Sequence, residues 1–161
     1  MTEAPHPTPA IRRAQPAEAT QLEELARAAK AAWPYSARQM DAWRHLIVVP
    51  AADVAAHPTF VATFAEAIAG FYMLKREPVW ALHDLWVAPA HMRRGVGSAL
   101  FDHAQATALA HGATIIAIDA EPYAEPFYLA HGAIRVGAIA APSMDDPHRV
   151  RPQLTLALGP Q

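Results

Sequence analysis

The residues best placed to do chemistry sit together in the run Leu85-Trp-Val-Ala-Pro-Ala-His-Met-Arg-Arg-Gly-Val-Gly-Ser-Ala-Leu-Phe101. An apolar stretch ends at a proline, a short loop carries Arg93 and Arg94, two glycines one residue apart remove side chains, and a helix-forming stretch begins. Such a turn aims consecutive backbone N–H groups and the positive end of a helix at one point, which is how proteins hold a pyrophosphate. The plainer alternative is that Gly95 and Gly97 only let the helix pack closely on a sheet. A dinucleotide fingerprint fails, because Leu100 holds the place of its third glycine, although Asp119 would suit its acidic position. A P-loop fails as well, since no Gly-Lys-Ser/Thr follows. The nine histidines form no H-x-x-x-H pair and no His/Asp triad at ligand spacing, and there is no cysteine, so no metal site is expected.

The elements that must position this loop are marked out by fifteen prolines, each lacking a backbone donor and disfavouring helix in its predecessor. Residues 10–13 read as an edge strand, and residues 17–32 as a helix with Leu22, Leu25, Ala26 and Ala29 on one face. Ser36 can cap a second helix reaching Ile47. Residues 59–74 read as two strands, although no Asn-Gly or Asp-Gly marks the turn between them. Residues 80–87 form a third strand between Pro78 and Pro89, residues 95–111 a helix, and residues 113–118 a buried strand. A short helix opens at Pro126, and strands at 134–139 and 153–158 complete the chain. The string Leu-Ala-His-Gly-Ala occurs at 109–113 and again at 129–133, each time at a helix-to-strand joint. A run of strands followed by β-α-β-α-β implies a mixed sheet with helices on its faces.

With 161 residues the chain fits one domain, here 10–158, preceded by a flexible tail over 1–9. A formal net charge of −2 argues against nucleic acid or anionic lipid as partner. Glu3 and the early prolines do not read as a secretory signal, and no apolar run reaches the ~18 residues of a membrane span, so a cytoplasmic protein is expected.

Val87-Ala-Pro89 followed by Met92-Arg-Arg-Gly-Val-Gly97 resembles the GNAT superfamily of acetyl-CoA-dependent N-acetyltransferases, whose signature is strand, V-x-P, a short loop, R/Q-x-x-G-x-G/A, then helix. Phe127-Tyr128 within Ala124-Glu-Pro-Phe-Tyr-Leu-Ala-His-Gly132 is similar to the family's A-x-x-F-Y-x-x-x-G, and Gly70-Phe-Tyr72 precedes the central strand. Met92 stands where the family has Arg or Gln, and Tyr123 where Asn is common. The resemblance implies an α/β (α+β type) single-domain fold, with a mixed, mostly antiparallel sheet splayed at the V-x-P strand and helices on both faces. It implies acetyl-CoA as cosubstrate, held by backbone groups at Trp86, Val87 and Ala88 and by Met92, Arg93, Arg94, Gly95, Val96, Gly97 and Ser98. The implied activity is direct transfer of an acetyl group to a primary amine on a small molecule or peptide. The same fold could instead serve as a non-catalytic acyl-CoA sensor or interaction module, and a homodimer is compatible with it.

Acetyl transfer to an amine needs a polarised thioester carbonyl, a deprotonated nitrogen and a proton for the departing thiolate. Tyr128 is the candidate acid, since a phenol of pKa ~10 returns a proton to a thiolate of pKa ~8.5 at small cost. For the base, His83 and Asp84 lie on the central strand, where alternation would send them to opposite faces so that only one meets the cleft. The glutamate some family members carry here would fall near Ala81, two positions from His83, which makes His83 the first candidate, with Asp84, Glu121 and Tyr123 behind it. His91 and His103 read as solvated or helix-surface residues. In the family the loop joining the first two helices overhangs the cleft. By resemblance Trp33 and Tyr35 would wall an amine pocket, or else serve as core or dimer contacts.

Overall fold

A computed structural model describes residues 7–76 and 78–159, so most of the expected tail lies outside the described residues. The chain runs β1 (Ala10–Arg13), α1 (Ala19–Ala31), α2 (Ala37–Trp43), α3 (Ala51–Ala56), β2 (Thr59–Phe64), β3 (Ala67–Arg76) and β4 (Trp80–Val87). It continues through α4 (Val96–Ala110), β5 (Ile115–Asp119), α5 (Glu125–Ala130), β6 (Ile134–Ala140) and β7 (Val150–Ala157). One seven-stranded sheet results, ordered β1-β2-β3-β4-β5-β7-β6. Every pairing is antiparallel except β4 with β5. The expected mixed sheet with helices on both faces is what forms.

Local chemistry explains most of these elements. The apolar stripe of α1 buries Leu22, Leu25, Ala26 and Ala29 against the sheet, each leucine worth ~1.5–3 kcal/mol of apolar transfer. Ser36 caps α2 by accepting from the Gln39 N–H at 3.1 Å, though the α-helix ends at Trp43 and a 3₁₀ turn finishes the segment. The β2–β3 hairpin turns through Ala65 at φ 52°, a left-handed position where glycine or asparagine is usual. The repeated Leu-Ala-His-Gly-Ala builds one helix stop twice: Gly112 at φ 86° lets Ala113 N–H reach Ala108 O at 3.0 Å, and Gly132 at φ 97° lets Ala133 N–H reach Tyr128 O at 3.1 Å. The sequence pattern did not show α3, a short alanine-rich helix between two prolines with only Val54 buried.

Two cores flank the sheet. α4 and α5 cover one face, with Tyr72, Leu74, Leu82, Leu100, Phe101 and Ile116 at its centre. α1 and α3 cover the other, where Phe71, Met73, Val61 and Val54 pack under Trp86 and Ala88. Among the described residues no helix is long and apolar enough to cross a membrane.

Two expectations need correction. The β3–β4 register runs Met73↔Asp84 and then Leu74↔Leu82, so His83 is an extra residue in β4, a bulge. The bulge cancels the alternation that would separate His83 from Asp84, and both side chains emerge on the α1 face, joined at 2.8 Å from Nδ1 to Oδ2. His103 is not a solvated helix residue. Its ring lies 4.7 Å from Phe60, its Nδ1 lies 2.6 Å from the hydroxyl of buried Tyr72, and burial lowers its pKa. His91 is half-buried as well, its ring 5.5 Å from Phe64.

Candidate active site

The site begins where β4 leaves its neighbour. β4 and β5 pair only at Ala81↔Ala117 and Leu82↔Ile118, and beyond these the strands part. Ala88 N–H is taken by Ala69 O at 2.8 Å, so alternation along the ladder also turns the Trp86 backbone toward β3 and turns Leu85 and Val87 toward the open edge. Of the three residues expected to offer donors, Val87 therefore keeps its N–H on the open side, and Leu85 joins it. Trp86 serves instead through its side chain, which donates from Nε1 to Asp84 Oδ1 at 3.1 Å.

Asp84 is thus held by two donors and is 12 % exposed, while His83 beside it is 45 % exposed. A carboxylate can only accept, so the neutral His83 carries its proton on Nδ1 and its basic lone pair on Nε2. From the other face, Tyr128 on α5 packs edge-on against Phe101 and Phe127 at 5.4 and 5.3 Å. Burial, with the Asp84 charge adding to it, raises the phenol pKa.

The glycine-rich loop is built as its residue types require. A 3₁₀ turn over Pro89–His91 leads to Met92, Arg93 takes a left-handed φ of 62°, and Gly95 caps α4 at φ 79°. Among the described residues no hydrogen bond is made by the backbone N–H of Arg93, Arg94, Gly95, Val96, Gly97 or Ser98. Buried Val96 anchors the turn from below, and the exposed Arg93 and Arg94 make no ion pair among the described residues. Gly97 faces inward: a Cβ there would meet the Phe127 ring at 3.5 Å and Val87 Cγ2 at 3.7 Å. Ser98 Oγ donates to His131 Nε2 at 3.0 Å, because His131 Nδ1 already donates to Phe127 O at 2.8 Å. This bond ties the start of α4 to α5.

On the α1 face, a cavity of about 510 Å³ opens between β4, β5 and β7, and a second of about 290 Å³ adjoins it under the segment after α2. Lys30, His83, Trp86, Arg149 and Arg151 line both. Lys30 Nζ reaches Glu121 Oε2 at 3.0 Å and lies 4.4 Å from the Trp43 ring centre. Burial lowers the Lys30 pKa against the pull of Glu121, and repulsion from Arg149 and Arg151 adds to the fall. Tyr35 donates to Glu121 Oε1 and accepts from Arg149 Nε at 3.2 Å. Arg151 holds Asp119 with two bonds of 2.8 and 3.0 Å.

Trp33 and Tyr35 stand behind this wall. Trp33 stacks on Tyr123 at 5.5 Å, and Tyr35 braces Glu121 and Arg149. Glu121 and Tyr123 are held in this brace, Glu121 also lining the larger cavity; His83 lines both cavities and Asp84 the smaller one. Sequence reasoning missed Lys30, Trp43, Arg149 and Arg151. Local pattern gave no signal for them, since Arg149 stands just before β7 and Glu121 just after β5, and the pairing of β5 with β7 was needed to bring these strand ends together. Among the described residues no group of three or more His, Asp or Glu could hold a metal ion.

The profile of the acetyltransferase (GNAT) family matches residues 19–133. No curated protein sequence matches the chain significantly. A GCN5-related N-acetyltransferase from Rhodopseudomonas palustris is similar at 26% identity and a TM-score of 0.82, covering 98% of this chain and 100% of that one. The PaiA N-acetyltransferase from Thermoplasma acidophilum, solved with coenzyme A, gives 16% and 0.74 over 94% and 99% of the two chains. The protein yncA from Salmonella typhimurium, solved with its cofactor acetyl-CoA, gives 16% and 0.70 over 96% of each. At these two lower identities the likeness is one of fold.

Proposed function

This chain belongs to the acetyltransferase (GNAT) family, and on that premise we propose that it moves an acetyl group from acetyl-CoA to a primary amine by direct transfer. The observation that carries the reading is the alignment of two sets of unmade backbone donors: the N–H groups of residues 93–98 at the start of α4, and those of Leu85 and Val87 on the open edge of β4. The first set suits a pyrophosphate, with Arg93 and Arg94 adding charge. The second suits a thioester carbonyl and the amides of a pantetheine arm.

Acetyl-CoA supplies an acetyl carbon activated as a thioester. Leu85 and Val87 N–H lie about 6.6 Å apart along β4, so one donates to the carbonyl oxygen as negative charge gathers there and the other to an amide of the pantetheine arm. The His83 Nε2 lone pair takes the proton that the ammonium must lose before nitrogen can attack, and Asp84 positions the ring and balances the charge it gains. The C–N bond forms, the C–S bond breaks, and the Tyr128 hydroxyl returns a proton to the sulfur. Its raised pKa keeps the phenol protonated in the resting site and makes the transfer to the thiolate more uphill than it would be for an exposed phenol. Trp33 and Tyr35 act at one remove, by holding the wall of the acceptor cavity.

Thiol release measured with acetyl-CoA and a panel of arylalkylamines, amino acids, polyamines and peptide N-termini tests this. Turnover with at least one acceptor is expected. Acetyl-CoA should also raise the melting temperature, by ~2.7 kcal/mol of stabilisation at a hundredfold excess over Kd, while NADH should not. Absence of thiol release across the panel would overturn the catalytic reading, and absence of the melting shift would overturn the cofactor site as well.

A further inference from the structure

Ser98 is the third residue of α4, after Val96 and Gly97, so its hydroxyl is the only side-chain donor that the start of the helix can offer a bound anion. In the structure that proton is engaged elsewhere. His131, the residue that closes α5, donates from Nδ1 to Phe127 O at 2.8 Å, so Nε2 holds a lone pair and takes the Ser98 proton at 3.0 Å. Ser98 Oγ is left with lone pairs alone, which repel a phosphate oxygen. An imidazolium reverses this: both ring nitrogens donate, Nδ1 still to Phe127 O and Nε2 now to Ser98 Oγ, and the hydroxyl proton becomes free to turn toward the anion. The ring is packed in place, its centre 4.3 Å from that of Phe127 and 5.7 Å from that of Phe101, which keeps Nε2 aimed at Ser98 in both states. The charged side chains on the flanking segments are Arg93 and Arg94 in the loop, Asp102 on α4, Glu125 on α5 and Arg135 on β6. Glu125 and Arg135 pair with each other at 3.0 Å, and among the described residues none of the five makes an ion pair with His131.

We propose that His131 is a positioning residue for the pyrophosphate of acetyl-CoA: its protonation turns the Ser98 hydroxyl from an acceptor into a donor toward the phosphate, so that the proton and the cofactor bind together. This rests on the acetyl-CoA reading of the α4 loop and names how that site is regulated. Linkage fixes the sign: acetyl-CoA binds more tightly as pH falls through the imidazole titration, and bound acetyl-CoA holds the proton on His131. A hydrogen bond to a charged group, gained where a lone pair stood, corresponds to about 10-fold in affinity.

The experiment measures the Kd of acetyl-CoA by calorimetry between about pH 8.5 and about pH 5.5 for the wild type, His131→Gln and Ser98→Ala, with melting curves to show that each is folded. Titration of the ligand's own phosphate is common to all three and cancels in their ratios. From the alkaline to the acid end, the wild type should gain about 10-fold in affinity relative to His131→Gln, whose amide does not titrate. Ser98→Ala should lose most of that gain, because the hydroxyl carries it. In the wild type, the His131 imidazole followed by NMR should also hold its proton to a pH about one unit higher when acetyl-CoA is bound, a reading that stands even if a variant fails to fold. Parallel pH profiles for the wild type and His131→Gln, or an unmoved His131 titration, would overturn the inference while leaving the cofactor site standing. A full gain retained in Ser98→Ala would overturn it as well, since charge alone would then account for the effect. If the wild type binds no acetyl-CoA at any pH, the cofactor reading itself falls and this inference falls with it.

Discussion

Two glycines from the two halves of the family pattern should respond in opposite ways to the same added methyl group. At Gly70, in β3 opposite Val87, a Cβ would lie 2.7 Å from the Trp86 carbonyl oxygen, 3.0 Å from Leu100 Cδ1 and 3.3 Å from Val87 Cα. Two of these atoms are backbone and cannot rotate away, so β3 and β4 must separate. Overpacking of this kind costs ~1–3 kcal/mol, which for a domain of this size lowers Tm by about 2–12 °C. The same separation shifts Val87, so acetyl-CoA affinity should fall along with stability. At Gly97 the nearest atoms are side-chain carbons of Phe127 and Val87 at 3.5–3.7 Å, an ordinary contact distance. Gly97→Ala should therefore leave acetyl-CoA affinity close to wild type and change stability by no more than about 1 kcal/mol, with helix propensity on its side. Thermal melts with and without acetyl-CoA measure both effects. A Gly70→Ala variant that melts with the wild type, or a Gly97→Ala variant harmed more than Gly70→Ala, would refute the packing argument.

Tyr128→Phe should lower kcat by roughly 10- to 1,000-fold with little change in acetyl-CoA affinity or Tm, since the hydroxyl has no hydrogen bond among the described residues; an unchanged kcat would leave the ring a packing role. His83→Gln should lower kcat/KM by about 100-fold or more and flatten its acidic limb, while Asp84→Asn should do so less strongly, because an amide oxygen can still accept from Nδ1. Stability should also depend on pH through His103. Burial depresses its folded-state pKa below the ordinary 6.5, so the unfolded chain binds the proton first, and the contribution is fully present above that value and lost as pH falls through the folded pKa. The decline of Tm from pH 7 toward acid should be shallower in His103→Gln, and an equal slope would contradict it.

Much of the scaffold was legible in the chain because it follows from rules acting over a few residues. The leucine stripe of α1, the Ser36 cap, the doubled Leu-Ala-His-Gly-Ala stop and the Pro78-to-Pro89 frame of β4 each act within a turn or two. The glycine loop belongs with them, since Gly95 and the run of unmade donors it exposes depend on local backbone alone.

The acceptor wall and the pairing of His83 with Asp84 depended on tertiary structure. His83 and Asp84 share a face only because β3 and β4 slip by one residue between Met73 and Leu74, and an extra residue in a strand has no local signature when the partner strand sets the register. Lys30, Glu121 and Arg149 stand on three segments separated by 91 residues in one case and by β5–β7 pairing in the other. Each reads alone as a surface charge. Packing against Tyr35 and Trp43 is what desolvates them together. Periodicity can tell which side of an element a residue faces, but it carries no information about which distant element faces it in return.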